Sequence, residues 1–296
     1  MVEDGSEGLP ALSEILYPKT GHAYTIGLTG SPGVGKSSLA EHLVRAARAS
    51  GHTVAVLAVD PTSPFTGGAL LGDRLRMQSH ATDPGVFIRS MATRGHLGGM
   101  ALAAPEAIRI LDASGKDFVI VETVGVGQAE VEVATTADTT LVVVQPGWGD
   151  AVQAAKAGIL EVADVFVVNK ADRDGAGDVV RDLRNMLRMG PKLPWEPPIV
   201  KTSTVSGDGI EDLWRAIETH RSHLEETGEL ETRRRRRILE EVEDLVAVRL
   251  RARTGGLLGD DGEWSTLGDD LVALRVDPYH AADSLLQRLS EDAGPR

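Results

Sequence analysis

A chain of 296 residues is long enough for one large α/β domain with peripheral helices. Its 42% hydrophobic and 25% charged residues are ordinary for a globular protein, and no run approaches the roughly 18–20 apolar residues of a membrane span. A formal charge of −13 argues against a surface that grips nucleic acid, and the absence of cysteine excludes disulfides, zinc–cysteine centres and thiol catalysis.

Residues 1–22 read as a short leader. Its start, Met1 to Pro10, is acidic and Gly-rich, unlike a secretory signal or a transit peptide, and a cytoplasmic protein is expected. Ala23–Thr29 predicts a buried strand running into Gly30-Ser31-Pro32-Gly33-Val34-Gly35-Lys36-Ser37, with Ser38 next. Leu39, Leu43, Val44 and Ala47 then recur at helical spacing until Gly51. A glycine loop between strand and helix lets backbone N–H groups wrap a β-phosphate. Lys36 can reach the β and γ oxygens, and the Ser37 hydroxyl can ligate Mg²⁺.

Thr53–Val59 predicts a second strand, closed by Asp60-Pro61-Thr62-Ser63-Pro64 and followed by a Gly-rich stretch ending at Asp73-Arg74. Asp60 and Asp73 are candidate contacts to Mg²⁺ or its waters, or else a turn-former and a helix N-cap. Further strands are expected at Val86–Ser90, Phe118–Glu122, Thr140–Gln145, Val165–Asn169 and Pro198–Thr202. Helices are expected at Pro105–Ala113, Gln128–Thr136, Ala151–Val162, Asp178–Met189 and Ile210–Leu224. This alternation implies an α/β fold of the P-loop NTPase kind over residues 23–224, a mostly parallel sheet with helices on both faces.

Glu122-Thr123-Val124-Gly125 stands where such proteins carry D-x-x-G, with Glu122 reaching Mg²⁺ through water and the Gly125 N–H facing the γ-phosphate. Val126 occupies the place of a water-orienting Gln, and Gln128 lies two positions on, so unaided hydrolysis should be slow. Asn169-Lys170-Ala171-Asp172 matches N-K-x-D: the Asp172 carboxylate can accept from N1–H and the exocyclic amine of guanine, which adenine cannot supply. Ser203 and Thr204, in Thr202-Ser203-Thr204, resemble the loop that backs the guanine carbonyl. GTP is thus the expected nucleotide.

From Glu225 to residue 296 the composition is that of charged helix. Ile238, Val242, Leu245, Val246 and Leu250 make one stripe, either packed on its own domain or forming a dimerisation arm, until Thr254-Gly255-Gly256 breaks the pattern. Arg233–Arg237 is flanked by Glu225, Glu226, Glu229, Glu231 and the acidic 240–244 stretch, and reads as a solvated or subunit-bridging helix. A last amphipathic segment spans Ala281–Leu289.

Together, SPGVGKSS, VDPTSPFTGG, LGDRLRM, Thr93-Arg94-Gly95-His96-Leu97-Gly98-Gly99, ETVGVGQ and QPGWGDAVQAAKAGILEVAD before NKAD resemble the methylmalonyl-CoA mutase-associated GTPases, of the SIMIBI/G3E-like P-loop class. The resemblance implies a GTP-hydrolysing chaperone, typically a homodimer. Such a protein gates adenosylcobalamin loading from an adenosyltransferase and protects or reactivates a B12-dependent acyl-CoA mutase. It assigns phosphate and Mg²⁺ work to Lys36, Ser37, Asp60, Asp73 and Glu122, and guanine to Asn169 and Asp172. It also makes the 147–158 segment a further switch, with Asp150 and Lys156 as its charged members. Relative to that family the chain begins near the end of an N-terminal helical segment that members usually carry. Two other readings remain at this stage: a metallochaperone GTPase, which the lack of cysteine disfavours, and a small-molecule or protein kinase, which Asp172 disfavours.

Overall fold

Runs of β-branched and aliphatic residues form seven strands in the computed structural model, which describes residues 2, 8–61, 77–80, 82–93, 99–123, 136–147, 162–257 and 265–291. The strands are β1 (Tyr24–Thr29), β2 (Val54–Pro61), β3 (Val86–Thr93), β4 (Phe118–Thr123), β5 (Thr139–Val144), β6 (Val165–Val168) and β7 (Ile199–Lys201). All pair in parallel, in the order β3-β2-β4-β1-β5-β6-β7. β1, β4, β5 and β6 are buried along their whole length, as expected of strands covered on both faces.

The described helices are α1 (Leu9–Leu16), α2 (Lys36–Ala49), α3 (Gly99–Ala113), α4 (Ala176–Met189), α5 (Ile210–Thr227), α6 (Glu229–Leu257), α7 (Ser265–Val272) and α8 (Pro278–Glu291). Alternation along the strands decides which helix each face meets. Tyr24, Ile26, Leu28, Phe118 and Ile120 pack with Leu39 and Leu43 of α2 and Leu213 and Trp214 of α5. Ala55, Leu57, Val119 and Val121 point the other way, toward Ala104 and Leu111 of α3. Val142, Val144, Phe166 and Val168 meet Val179, Val180 and Leu183 of α4.

Several elements depart from the sequence expectation. The leader contains α1, started by Pro10 at its first turn, where the missing N–H costs nothing. α3 begins before Pro105 and carries it internally. α6 continues through Thr254, Gly255 and Gly256 to Leu257, because two glycines disfavour a helix only by about 1 kcal/mol each. The expected helices Gln128–Thr136 and Ala151–Val162 fall largely outside the described residues.

Residues 1–239 and 240–296 form two separate compact units. In the first, the start of α6 is held by charge. Asp138, fully buried just before β5, accepts from Arg234 Nη2 at 2.7 Å and from Arg237. Asp164, just before β6, accepts from Arg233 Nη1 at 3.0 Å and lies 3.3 Å from His220 Nε2. Burial works against ionising Asp138, but Arg237, Arg234 and the Thr25 N–H outweigh it and hold the carboxyl below its usual range. Asp164 is likewise depressed against its burial, by His220, Arg233 and the Thr140 N–H. The arginine run is therefore not simply solvated: three of its five members clamp α6 to the N-terminal edge of the sheet. Local charge counting missed this because the partners come from much earlier in the chain.

Candidate functional site

In a parallel sheet the C-terminal strand ends converge on one edge, where ligands bind. β1 lies between β4 and β5, so its end delivers residues 30–37 to the middle of that edge. Gly30 has φ +139, and a Cβ there would sit 2.2 Å from the Val143 carbonyl oxygen of β5. Only glycine lets the loop leave the sheet at this point. Gly35 caps α2 with φ +98, and Lys36 and Ser37 open the helix with their side chains largely buried.

Lys36 Nζ donates to the Gly30 carbonyl at 2.5 Å and to that of Ser31 at 3.2 Å, which holds its charge across the loop. Ser37 Oγ donates to Glu122 Oε1, and Glu122 is itself buried near the end of β4, in register with Leu28 of β1 and Ala58 of β2. Two oxygens meeting beside a phosphate loop are the donor set a hard divalent cation takes, so Ser37 and Glu122 fit Mg²⁺. Asp60 lies on β2 two residues beyond Ala58, with its Cα paired to Ala92. The Asp60 side chain, and Asp73, Gly125, Val126, Gln128, Trp148, Asp150 and Lys156, lie outside the described residues.

The segment after β6 folds back onto the loop. Asn169, fully buried, donates from Nδ2 to the Val34 carbonyl at 2.8 Å, and its Oδ1 accepts from Thr202 Oγ1 at 3.2 Å. A Cβ on Gly35 would lie 2.4 Å from that same Nδ2, so the glycine makes room for the asparagine. Lys170 donates from Nζ to the Gly33 carbonyl at 2.6 Å. It holds φ +56, a left-handed state that costs a non-glycine residue roughly 1–2 kcal/mol and persists where neighbours impose it. Asp172 Oδ1 accepts from Ser203 Oγ at 2.7 Å, and this bond, ahead of the local backbone N–H, holds its carboxyl below the usual range. An acceptor kept ionised thus stands beside the Ser203–Thr204 turn.

Sequence patterns gave no sign of His42. It lies in the second turn of α2, and its Nε2 is 3.0 Å from the Thr204 carbonyl oxygen. A lone histidine within a helix belongs to no motif, and the bond spans 162 positions of sequence.

The sheet order, the loop and its lysine define a P-loop nucleotide-binding protein. Residues 5–256 match the family described as Methylmalonyl Co-A mutase-associated GTPase MeaB. A Pyrococcus horikoshii protein named "Putative GTPase PH0274" is 48% identical over 293 residues, 98% of this chain and 92% of that protein. The Escherichia coli protein named "GTPase ArgK" is 38% identical over 77% of this chain and 71% of its own length. Among solved structures, one described as LAO/AO transport system kinase superposes with a TM-score of 0.69 at 27% identity, covering 95% of this chain and 86% of that one. The chain belongs to the MeaB family of P-loop GTPases, and it binds guanine nucleotide and hydrolyses GTP. No helix among the described residues is long and apolar enough to cross a membrane.

Proposed function

We propose that this GTPase is a chaperone that gates adenosylcobalamin loading of a B12-dependent acyl-CoA mutase, of the methylmalonyl-CoA mutase type, and protects or reactivates it. The observation that carries this reading is the match of residues 5–256 to a family described by its association with methylmalonyl-CoA mutase. A mouse relative named "Methylmalonic aciduria type A homolog, mitochondrial", 36% identical over 71% of this chain and 52% of its own length, supports the same client.

In this reading Gly30, Ser31, Pro32, Gly33, Val34 and Gly35 wrap the phosphates, with Lys36, Ser37 and Ser38 opening α2 against them. Lys36 exchanges its loop carbonyls for phosphate oxygens and so meets the charge that develops during transfer. Ser37 would ligate Mg²⁺ and Glu122 would reach it through water, with Asp60 and Asp73 toward its waters; the ion would supply neutralisation of phosphate charge. Gly125 faces the γ-phosphate. Asn169, Lys170, Asp172, Ser203 and Thr204 form the base pocket. With Val126 where a water-orienting side chain would stand, hydrolysis is slow and acts as a timing event. Asp150 and Lys156 belong to the switch that reports nucleotide state to the client.

Residues 225–296 serve as the dimerisation region, and the exposed Ile238, Leu239, Val242 and Val246 of α6 support a homodimer. Partners are the mutase and a cob(I)alamin adenosyltransferase, in the cytoplasm. Size-exclusion chromatography with purified mutase and adenosyltransferase, in GDP and in a non-hydrolysable GTP analogue, tests the reading. A complex with the mutase whose yield depends on the nucleotide is expected; no complex in either nucleotide refutes the client.

A further inference from the structure

The turn between β7 and α5 ties four of its backbone N–H groups back into itself. Ser203 N–H donates to the Asp208 carbonyl at 3.0 Å and Gly207 N–H to the Ser203 carbonyl at 2.8 Å. Ser206 N–H reaches Ser203 Oγ and Asp208 N–H reaches Ser206 Oγ, both at 3.4 Å. The N–H groups of Thr204 and Val205 have no hydrogen-bond partner among the described residues, and Val205 is 88% exposed. Two adjacent free donors therefore stand beside Asp172, an acceptor held ionised. Guanine presents the complement on one edge: O6 accepts, while N1–H and the amine donate.

His42 decides how one of these donors points. A carbonyl only accepts, so the 3.0 Å contact to the Thr204 oxygen requires the proton on Nε2. Holding that oxygen fixes the plane of the Thr204–Val205 peptide, which is trans like every described peptide bond. In a trans peptide the N–H points opposite to the C=O, so the Val205 N–H faces away from His42. Without the tether that peptide could rotate and exchange its displayed donor for an acceptor, which would repel O6.

We propose that His42 is a positioning residue for base recognition: from the phosphate-loop helix it locks the Thr204–Val205 peptide so that the Val205 N–H donates to guanine O6. The inference rests on the base pocket proposed above. It adds a residue outside every GTPase motif and links the helix that opens at the phosphates to the base pocket. The competing role is a plain brace between α2 and the turn, which would affect all nucleotides alike.

The two roles separate by base. Affinities of GDP and of 2-aminopurine riboside diphosphate, which lacks O6 and the N1 proton but keeps the amine that Asp172 reads, are measured for the unaltered protein, His42→Ala and His42→Gln. His42→Ala is expected to weaken GDP about 5- to 10-fold, the size of one lost hydrogen bond, and the 2-aminopurine nucleotide less than about twofold. His42→Gln, which keeps an N–H donor, is expected to recover most of the GDP affinity. Equal losses for both nucleotides, or no loss for GDP, overturn the proposal. Amide exchange in the unaltered protein gives a reading independent of variant folding: GDP should protect the Val205 N–H and the 2-aminopurine nucleotide should not. Val205 left unprotected by GDP overturns the proposal. Equal affinity of the unaltered protein for ATP and GTP would instead sink the base pocket itself.

Discussion

Asn169 shows what a motif hides. N-K-x-D is legible as a base-reading string because its residues are adjacent, yet Asn169 spends its amide on Val34 and Thr202. That role needs Gly35, 134 positions away (169 − 35), to lack a side chain. Gly35→Ala is expected to push Asn169 off Val34 and force a left-handed alanine, costing about 1–3 kcal/mol of stability together with nucleotide affinity. Thermal melts and titration with a fluorescent GDP analogue check both. Asp172→Asn is expected to weaken GDP at least about tenfold by removing charged hydrogen bonds, and to shift preference toward xanthine, whose C2 carbonyl accepts an amide N–H. Competition binding with xanthosine diphosphate reads that shift. His42, by contrast, acts through a long-range bond that leaves no pattern in the string of residues, and Lys170, legible in N-K-x-D, holds a left-handed backbone state that the string does not show.

At the scale of elements, the strands were easy to place because continuous apolar runs bounded by turns leave few alternatives. The exceptions were α1, which is short, and α6, whose length and anchors depend on distant partners. The clamp on α6 has a pH signature. Asp138 and Asp164 have pKa values depressed in the folded chain, so the unfolded chain binds more protons in the acid range. Their contribution is complete above the ordinary carboxylate range near about pH 4 and is lost as pH falls through the depressed folded values. Asp138→Asn is expected to cost roughly 3 kcal/mol at neutral pH, because Arg234 and Arg237 lose a buried counter-charge. The gap between variant and unaltered protein should narrow as pH is lowered, and denaturant melts at pH 7 and pH 3 measure it. A gap that does not change with pH would mean that the carboxylate charge is not what holds α6.

For the whole molecule, β1 and β6 have their N-terminal ends next to the clamp and their C-terminal ends at the phosphate loop and the base pocket. The fold class and the nucleotide were readable because both rest on local strings and on alternation of elements. The proposed mutase client was not readable from geometry, because a macromolecular partner is recognised by surface that no local rule encodes. The homodimer proposed for residues 225–296 has its own check: light scattering should give two chains per particle, and Val246→Glu, placed on the exposed stripe, should give one.

The measurement that bears most directly on the proposed chaperone role is steady-state GTP hydrolysis, alone and with increasing amounts of an adenosylcobalamin-dependent methylmalonyl-CoA mutase. A slow basal rate that rises severalfold and saturates with mutase is the expected result. A rate unmoved by the mutase at any concentration, with GTP still preferred over ATP, would leave the GTPase intact and contradict the chaperone.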